Sequence, residues 1–255
     1  MSDDDSDKPE GEGEGENGGR RRRRSGPVTK GGDARAAKQM FERVKTARGR
    51  KSSSTRWLQR QLNDPYVKKA QMEGYRSRAA YKLIQLDERF HLLRPGMRIV
   101  DLGSAPGGWV QVALKKDAAE VVGIDLLEIE PIAGATLLQH DFSADDAPDL
   151  VKAEMGGPAD AVISDLAPWT TGHKKTDHLR IVALVELAAH FALETLKPGG
   201  FFVAKVFQGG AEGELLDLLK ANFDKVRHFK PDASRSESAE TFVIAMGFRG
   251  QRGAD

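Results

Sequence analysis

Residues Val100–Trp109 read VDLGSAPGGW, and the fold turns on how that stretch is understood. It follows an aliphatic run, MRIV, and leads into a helical segment near 108–116, so it has the shape of strand, glycine turn and helix start. The glycines fall at Gly103, Gly107 and Gly108, which spells G-x-x-x-G-G and not the G-x-G-x-x-G of a dinucleotide loop. A pyrophosphate cradle is therefore not indicated. The chain also lacks G-x-x-x-x-G-K-[ST], so the usual apparatus of ATP hydrolysis is missing. What remains is a tight turn with little side-chain bulk, against whose backbone a ligand can lie.

Working outward, the runs MRIVDLG, EVVGIDL, ATLLQH, DAVISDL, GGFFVAKVF, KVRHFK and ETFVIAMGF are strand candidates, with helices expected near 108–116, 177–196 and 210–223. Strands interleaved with helices argue for an α/β fold with a mainly parallel sheet covered on both faces. The last two runs have no helix between them, so they are expected to pair antiparallel across PDASRSES. Upstream, helical spacing begins at Ser54, breaks at Asn63-Asp64-Pro65 and restarts at Pro65. Ala79, Leu83, Leu86 and Phe90 then form one apolar stripe, closed by Pro95-Gly96. Ligands of such sheets bind beyond the carboxyl ends of the strands, where strand order reverses.

Two acids stand at those ends. Asp125 closes the second strand, where a carboxylate can accept both hydroxyls of a ribose. Asp141, in QHDF after the third, can accept from an adenine amino group. Each is also an ordinary strand-end turn residue, and by itself neither decides between the two roles. Taken with the loop, they suit an adenosine whose substituent is uncharged or cationic, a description that S-adenosylmethionine meets.

The ends of the chain are not domain-like. Residues 1–19 carry eight acids against Lys8, with no aliphatic residue after Met1, and cannot bury enough apolar surface to offset their ordering entropy. From Arg20 to Arg60, fifteen Lys/Arg face only Asp33 and Glu42, a net of +13 hidden inside a whole-chain charge of +1. A basic arm of that size is an electrostatic footprint for polyanions, unless it is simply a solvated low-complexity tail. The expected organisation is a disordered acidic then Arg-rich tail (1–52), a basic connector (53–74), a compact domain (75–248) and a short C-terminal tail (249–255). The absence of cysteine excludes disulfides and thiolate metal sites and suits a reducing cytosol. No apolar run approaches the ~20 residues of a membrane span. A soluble cytoplasmic protein is expected, and since nothing calls for a second copy, a monomer.

Four polar residues stand at awkward places. Lys205 interrupts the apolar FFVAKVF, Asp165 ends AVISD, Lys82 sits in the first domain helix, and Glu240 begins the last strand. A lysine in so apolar a strand is rarely fully buried without a partner, although it can snorkel at the strand end. A ribose hydroxyl attacking a sulfonium methyl needs a base beside it, and a free lysine, with a pKa of about 10.4, is protonated at neutral pH. Partial burial beside a second ammonium, Lys82, would lower that value, with Asp165 and Glu240 orienting the amines and offsetting their repulsion.

Read together, YRSRAAYKL, VDLGSAPGGW, IDLL, HDF, SDLAP, FVAKVFQG and KPDASRSESAETFVIAMG resemble, in order and spacing, the FtsJ/RrmJ ribose methyltransferases, RlmE in bacteria. The likeness runs from about Tyr75 to Gly247. It implies a Rossmann-like S-adenosylmethionine-dependent methyltransferase fold with a seven-stranded mixed sheet, helices on both faces and an antiparallel last strand. It also implies a catalytic tetrad at Lys82, Asp165, Lys205 and Glu240, with Lys205 as proton acceptor. The positions matching the family's cofactor contacts are Gly107 and Trp109, in the loop that also holds Gly103 and Gly108, together with Asp125, Asp141 and Asp165. The implied substrate is a uridine ribose of 23S ribosomal RNA on the large (50S) ribosomal subunit. One departure is Trp169, where the bacterial family usually has asparagine; it can stack a base or cap the loop.

For RNA contact, Lys68, Lys69, Arg76 and Arg78 with Tyr66, Tyr75 and Trp57 offer charge beside stacking surfaces, and Lys230, Arg235, Arg249 and Arg252 add a late basic rim. The same residues also fit helix-face charges and core aromatics. His173 and His178 lie five apart with no third ligand in helical register, so no metal site is expected. Competing readings are a transfer RNA methyltransferase, an RNA-binding ribosome assembly factor without activity, and a small-molecule methyltransferase, which the basic connector disfavours.

Overall fold

A computed structural model describes residues 51–167, 174–207 and 213–250. All of them fall within the compact unit Glu42–Asp255. All seven runs form strands: β1 (Arg98–Leu102), β2 (Glu120–Asp125), β3 (Thr136–Gln139), β4 (Ala159–Ser164), β5 (Leu196–Phe207), β6 (Phe223–Phe229) and β7 (Glu240–Phe248). They make one sheet in the order β3-β2-β1-β4-β5-β7-β6. Neighbours from β3 to β5 pair parallel, and β7 slots antiparallel between β5 and β6. The antiparallel hairpin of the last two runs is therefore present, and its second strand lies inside the sheet while its first forms the edge.

The helices are α1 (Ser52–Asn63), α2 (Pro65–Glu73), α3 (Ala80–Phe90), α4 (Gly108–Lys115), α5 (Ala147–Glu154), α6 (Lys174–Thr195) and α7 (Glu214–Asn222). Successive strand residues point to opposite faces. Ile99, Val121, Ile163, Val203 and Phe242 accordingly pack with Leu83, Leu86, Trp109 and Val110 of α3 and α4. Val100, Val122, Val162, Phe202 and Val243 pack on the other face with Val151, Ala188 and Leu215 of α5, α6 and α7. The sequence reading missed α5. Its apolar residues Ala147 and Val151, with Met155 at its C-cap, recur every four positions around Pro148, a helical signal hidden among acids and glycines.

α3 stops at Phe90, before the expected Pro95-Gly96. His91 turns left-handed (φ 53°), its amide reaches Asp87 O at 2.7 Å, and the buried Asp87 carboxylate accepts the Leu93 amide at 2.7 Å. At the other end, Asp64 Oδ1 caps α2 through the Tyr66 amide (3.0 Å), with Pro65 as its first residue. α2 is not a bare connector: Ala70 is buried with Tyr81 and Ala233, and Tyr66 packs against them.

Strand order reverses between β1 and β4, because β2 continues outward from one and β5 from the other. The crevice at their carboxyl ends lies where Gly103 and Asp165 follow their strands.

Candidate active site

The antiparallel register of β5 and β7 sets Lys205 opposite Phe242 and Phe207 opposite Glu240. Alternation then puts Lys205 and Glu240 on the face that α3 covers, and Lys82 of α3 comes down over the Phe242 ring at 5.8 Å. Asp165, one residue past β4, closes the group. Lys82 Nζ donates to Asp165 Oδ1 (3.1 Å), Asp165 Oδ2 (3.0 Å) and Glu240 Oε2 (3.0 Å). Lys205 Nζ lies 3.0 Å from Asp165 Oδ1 and donates to the Asp165 backbone oxygen at 2.7 Å. Both ammoniums thus meet on one carboxylate oxygen. Glu240 is held in turn by Ser234 Oγ, 2.7 Å from Oε1.

The four side chains are between 7% and 16% exposed. Two lysines and two carboxylates balance in charge, which is the condition for keeping ions this deep.

Beside this group runs a cleft of about 700 Å³ over the ends of β1 to β4, lined among others by Gly103, Asp125, Asp141 and Asp165. Asp125 accepts the Ala105 amide on Oδ2 and the Leu127 amide on Oδ1, each at 2.9 Å, so it ties the glycine loop to the loop after β2. Asp141 Oδ1 accepts from the Ser143 amide (2.9 Å) and hydroxyl (2.7 Å). Those bonds hold its pKa below the ordinary aspartate value. Both acids therefore do what turn residues do, yet both also line the cleft; each Asp125 oxygen keeps a second lone pair, and Asp141 keeps its Oδ2.

Gly103 (φ 73°) and Gly107 (φ 103°) sit in the left-handed region, and a Cβ would lie 2.2 Å from Leu166 Cδ2 and 2.5 Å from Ile132 Cδ1, respectively. The left-handed backbone angle therefore favours glycine at both positions whether or not a ligand is present. Gly108 begins α4 and packs on Ser77. Trp109 is buried at 3%, donates Nε1–H to Ala79 O (2.8 Å) and packs on Phe242 at 5.8 Å. A cofactor can meet it from a small cavity of about 150 Å³ that it lines with Asp101, Ser104 and Asp165.

That cavity exposes a residue the sequence reading passed over. Asp101, last but one in β1, is 1% exposed, and its Oδ2 has no hydrogen-bond partner among the described residues. Burial, then the charges of Asp165 and Asp125, push its pKa well above the usual carboxylate range, against a bond from the Val110 amide. Ser77 Oγ and Ser104 Oγ are likewise buried without partners. Three orphaned polar atoms on one small cavity, continuous through Gly103 and Asp165 with the cleft, are what a polar ligand end would satisfy. The residues present fit an adenosine-bearing ligand whose other end is polar.

The expected RNA-facing residues divide. Tyr66, Tyr75 and Tyr81 pack on each other at 5.4 and 5.7 Å, so the first two belong to a core cluster and are not open stacking platforms. Arg76 spends its guanidinium on the backbone oxygens of Pro106 (3.2 Å), Glu130 (2.7 Å) and Pro131 (2.9 Å), bracing the cleft loops. Lys69 lies 4.7 Å over Tyr81 and 3.8 Å from Glu73. Lys230 bonds the backbone of Ser236 and Ser238, and Arg249 bonds Asp224 and the end of α7. Arg78 and Arg235 converge elsewhere, beside Lys82. Trp169, His173, Arg252 and the side chains of Trp57 and His178 lie outside the described residues. Among the described residues no cluster of His, Cys, Asp or Glu could hold a metal, and no helix is long and apolar enough to cross a membrane.

Comparison with known proteins agrees with this fold. The family model of FtsJ-like methyltransferases matches residues 75–248. The Ribosomal RNA large subunit methyltransferase E of Maricaulis maris is 86% identical over 228 residues, 89% of this chain and 82% of that one. The protein of the same name from Paramagnetospirillum magneticum is 62% identical over 235 residues, 89% of this chain and 96% of its own. A solved Plasmodium falciparum structure described as a ribosomal RNA methyltransferase superposes with a TM-score of 0.62 at 31% identity, covering 69% of this chain and all of that one. The matched segment contains all seven strands and every residue of the four-membered charge cluster, and the chain belongs to the FtsJ-like methyltransferase family.

Proposed function

We propose that the protein methylates the 2′-oxygen of a uridine ribose in 23S ribosomal RNA of the large ribosomal subunit, with S-adenosylmethionine as donor. The observation that carries this reading is the meeting of Lys82 and Lys205 on Asp165 Oδ1, at the end of a cleft whose far side presents Asp125 and Asp141. S-adenosylmethionine, when bound, supplies an electrophilic methyl group on a sulfonium. Asp125 would accept the ribose hydroxyls and Asp141 the adenine amino group, with Gly103, Gly107, Gly108 and Trp109 shaping the loop and Asp165 at the reactive end.

Lys205, in its neutral amine form, takes the proton of the attacking hydroxyl. Asp165 fixes Lys205 by carboxylate and backbone oxygen together, so the amine has one position. Lys82, held between Asp165 and Glu240, sets the field at that amine, and Glu240 is kept in place by Ser234. The advantage over solution lies mainly in positioning a poor nucleophile next to its base. The names of the two bacterial relatives support the ribosomal substrate. We place the catalytic domain at 75–248 and its action in the cytoplasm, as a monomer.

The reading is tested by incubating the protein with labelled S-adenosylmethionine and isolated large subunits lacking the mark, beside free 23S RNA and transfer RNA. Label confined to one 2′-O-methyluridine of 23S RNA is expected. Label on transfer RNA, or none, overturns the substrate assignment.

A further inference from the structure

Beyond Lys82 the charge cluster opens into a second pocket of about 440 Å³, lined by Arg60, Arg78, Arg235, Ser238 and Glu237 as well as Lys82 and Glu240. Its arginines come from three separate segments: the end of α1, the turn before α3 and the loop between β6 and β7. Arg78 and Arg235 are drawn together behind it by one buried carboxylate. Asp64 Oδ2 lies 3.1 Å from Arg78 Nη1 and 3.6 Å from Arg235 Nε, with the Asp64 side chain 8% exposed. Arg78 Nη2 also donates to Ala233 O, while its buried Nε has no partner among the described residues. Lys230 braces the loop carrying Arg235 from beneath.

Four cations thus line the pocket against two carboxylates, of which Glu240 is committed to Lys82. One Asp64 charge is shared by two guanidiniums. Burial first, relieved by Asp64 and worsened by Arg235, leaves Arg78 with a pKa below the ordinary arginine value. A cationic pocket built with an unsatisfied donor calls for an anion, and guanidiniums converging from different segments suit a phosphate.

Resting on the function proposed above, we infer that Arg60, Arg78 and Arg235 bind one phosphodiester of the substrate RNA strand, beside the nucleotide whose ribose stands at Lys205. The pocket shares Lys82 and Glu240 with the charge cluster, so a phosphate held there belongs to the same stretch of strand as the target sugar. Asp64 acts behind it as a positioning residue, fixing two arginines against their mutual repulsion. It lies in the segment before the matched family domain, so the helices outside 75–248 complete the acceptor side of the site.

The test measures binding of a short labelled single-stranded RNA from low to high salt, for the full chain and for Arg60→Ala/Arg235→Ala. Losing one phosphate contact on a single strand should flatten the slope of log K against log salt by about 0.7. The KM for large subunits should rise on the order of tenfold, with kcat and S-adenosylmethionine affinity unchanged. Arg60→Glu, at an exposed position, gives the same readout should Arg235→Ala loosen its loop. An unchanged slope in folded variants overturns the phosphate site alone. A wild-type protein that binds no RNA overturns the RNA reading as well.

Discussion

Asp165→Asn preserves shape and removes the charge that two buried lysines share. Lys82 keeps Glu240 at 3.0 Å, whereas Lys205, 7% exposed, loses its carboxylate partner and keeps the Asp165 backbone oxygen at 2.7 Å. Breaking a buried ion pair by deleting one partner costs about 3–5 kcal/mol. The asparagine oxygen still accepts one bond and the backbone contact survives, which brings the expected loss to roughly 2–3 kcal/mol. In a body of this size each kcal/mol moves the midpoint by about 2–4 °C, so Tm should fall by about 4–12 °C. Calorimetric melting, with urea unfolding at unchanged m, reads the stability arm. Methyl transfer to large subunits should fall at least 10²-fold on the scale of misplaced general bases. A variant melting within a degree of wild type and transferring methyl normally would show that Asp165 does not hold the lysines.

Two further substitutions probe the cofactor side. Asp101→Asn replaces a carboxyl whose folded pKa is raised far above its unfolded value near 3.8. The folded state therefore holds the extra proton, and wild-type stability declines as pH rises above about 4, by up to ~1.4 kcal/mol per unit until the folded pKa is passed. The asparagine variant should lack that slope in urea unfolding followed from pH 4 to 8, and parallel curves would refute the buried neutral acid. Asp125→Ala removes the acceptor of the Ala105 and Leu127 amides along with the proposed ribose contact, so S-adenosylmethionine should bind roughly 100-fold more weakly by calorimetry. Unchanged affinity would reduce Asp125 to a turn residue.

The sheet was legible because its strands are short, nearly continuous aliphatic runs bounded by glycine, proline and acids, the pattern of strands buried on both faces, which tertiary context did not overturn. α5 escaped because eight residues with three buried positions, Ala147, Pro148 and Val151, give a weak helical signal between acid and glycine clusters. The charge cluster could be named from four residues out of place, yet the shared Asp165 oxygen depends on a β5–β7 register that no local pattern reveals. Asp101 was overlooked for a related reason. An acid near the end of an apolar strand looks like the start of a turn, and only its burial in the fold shows a carboxyl with nowhere to put its charge. Tyr66 and Tyr75 fitted an RNA surface or a core cluster equally well by sequence, and the structure packs both, partly buried, against Tyr81 of α3.

The central claim is that Lys205 is the proton acceptor for transfer to a ribose oxygen. Lys205→Met keeps the stem of the side chain and leaves Asp165 paired with Lys82, so the fold should hold. Single-turnover methylation of large subunits lacking the mark, with the product scored as an alkali-resistant 2′-O-methyl linkage, tests it directly. Transfer by the wild type and a loss of about 10²–10⁴-fold in the variant, at unchanged S-adenosylmethionine affinity, is the predicted result. Full transfer by Lys205→Met, or no 2′-O-methyl product from the wild type, would contradict it.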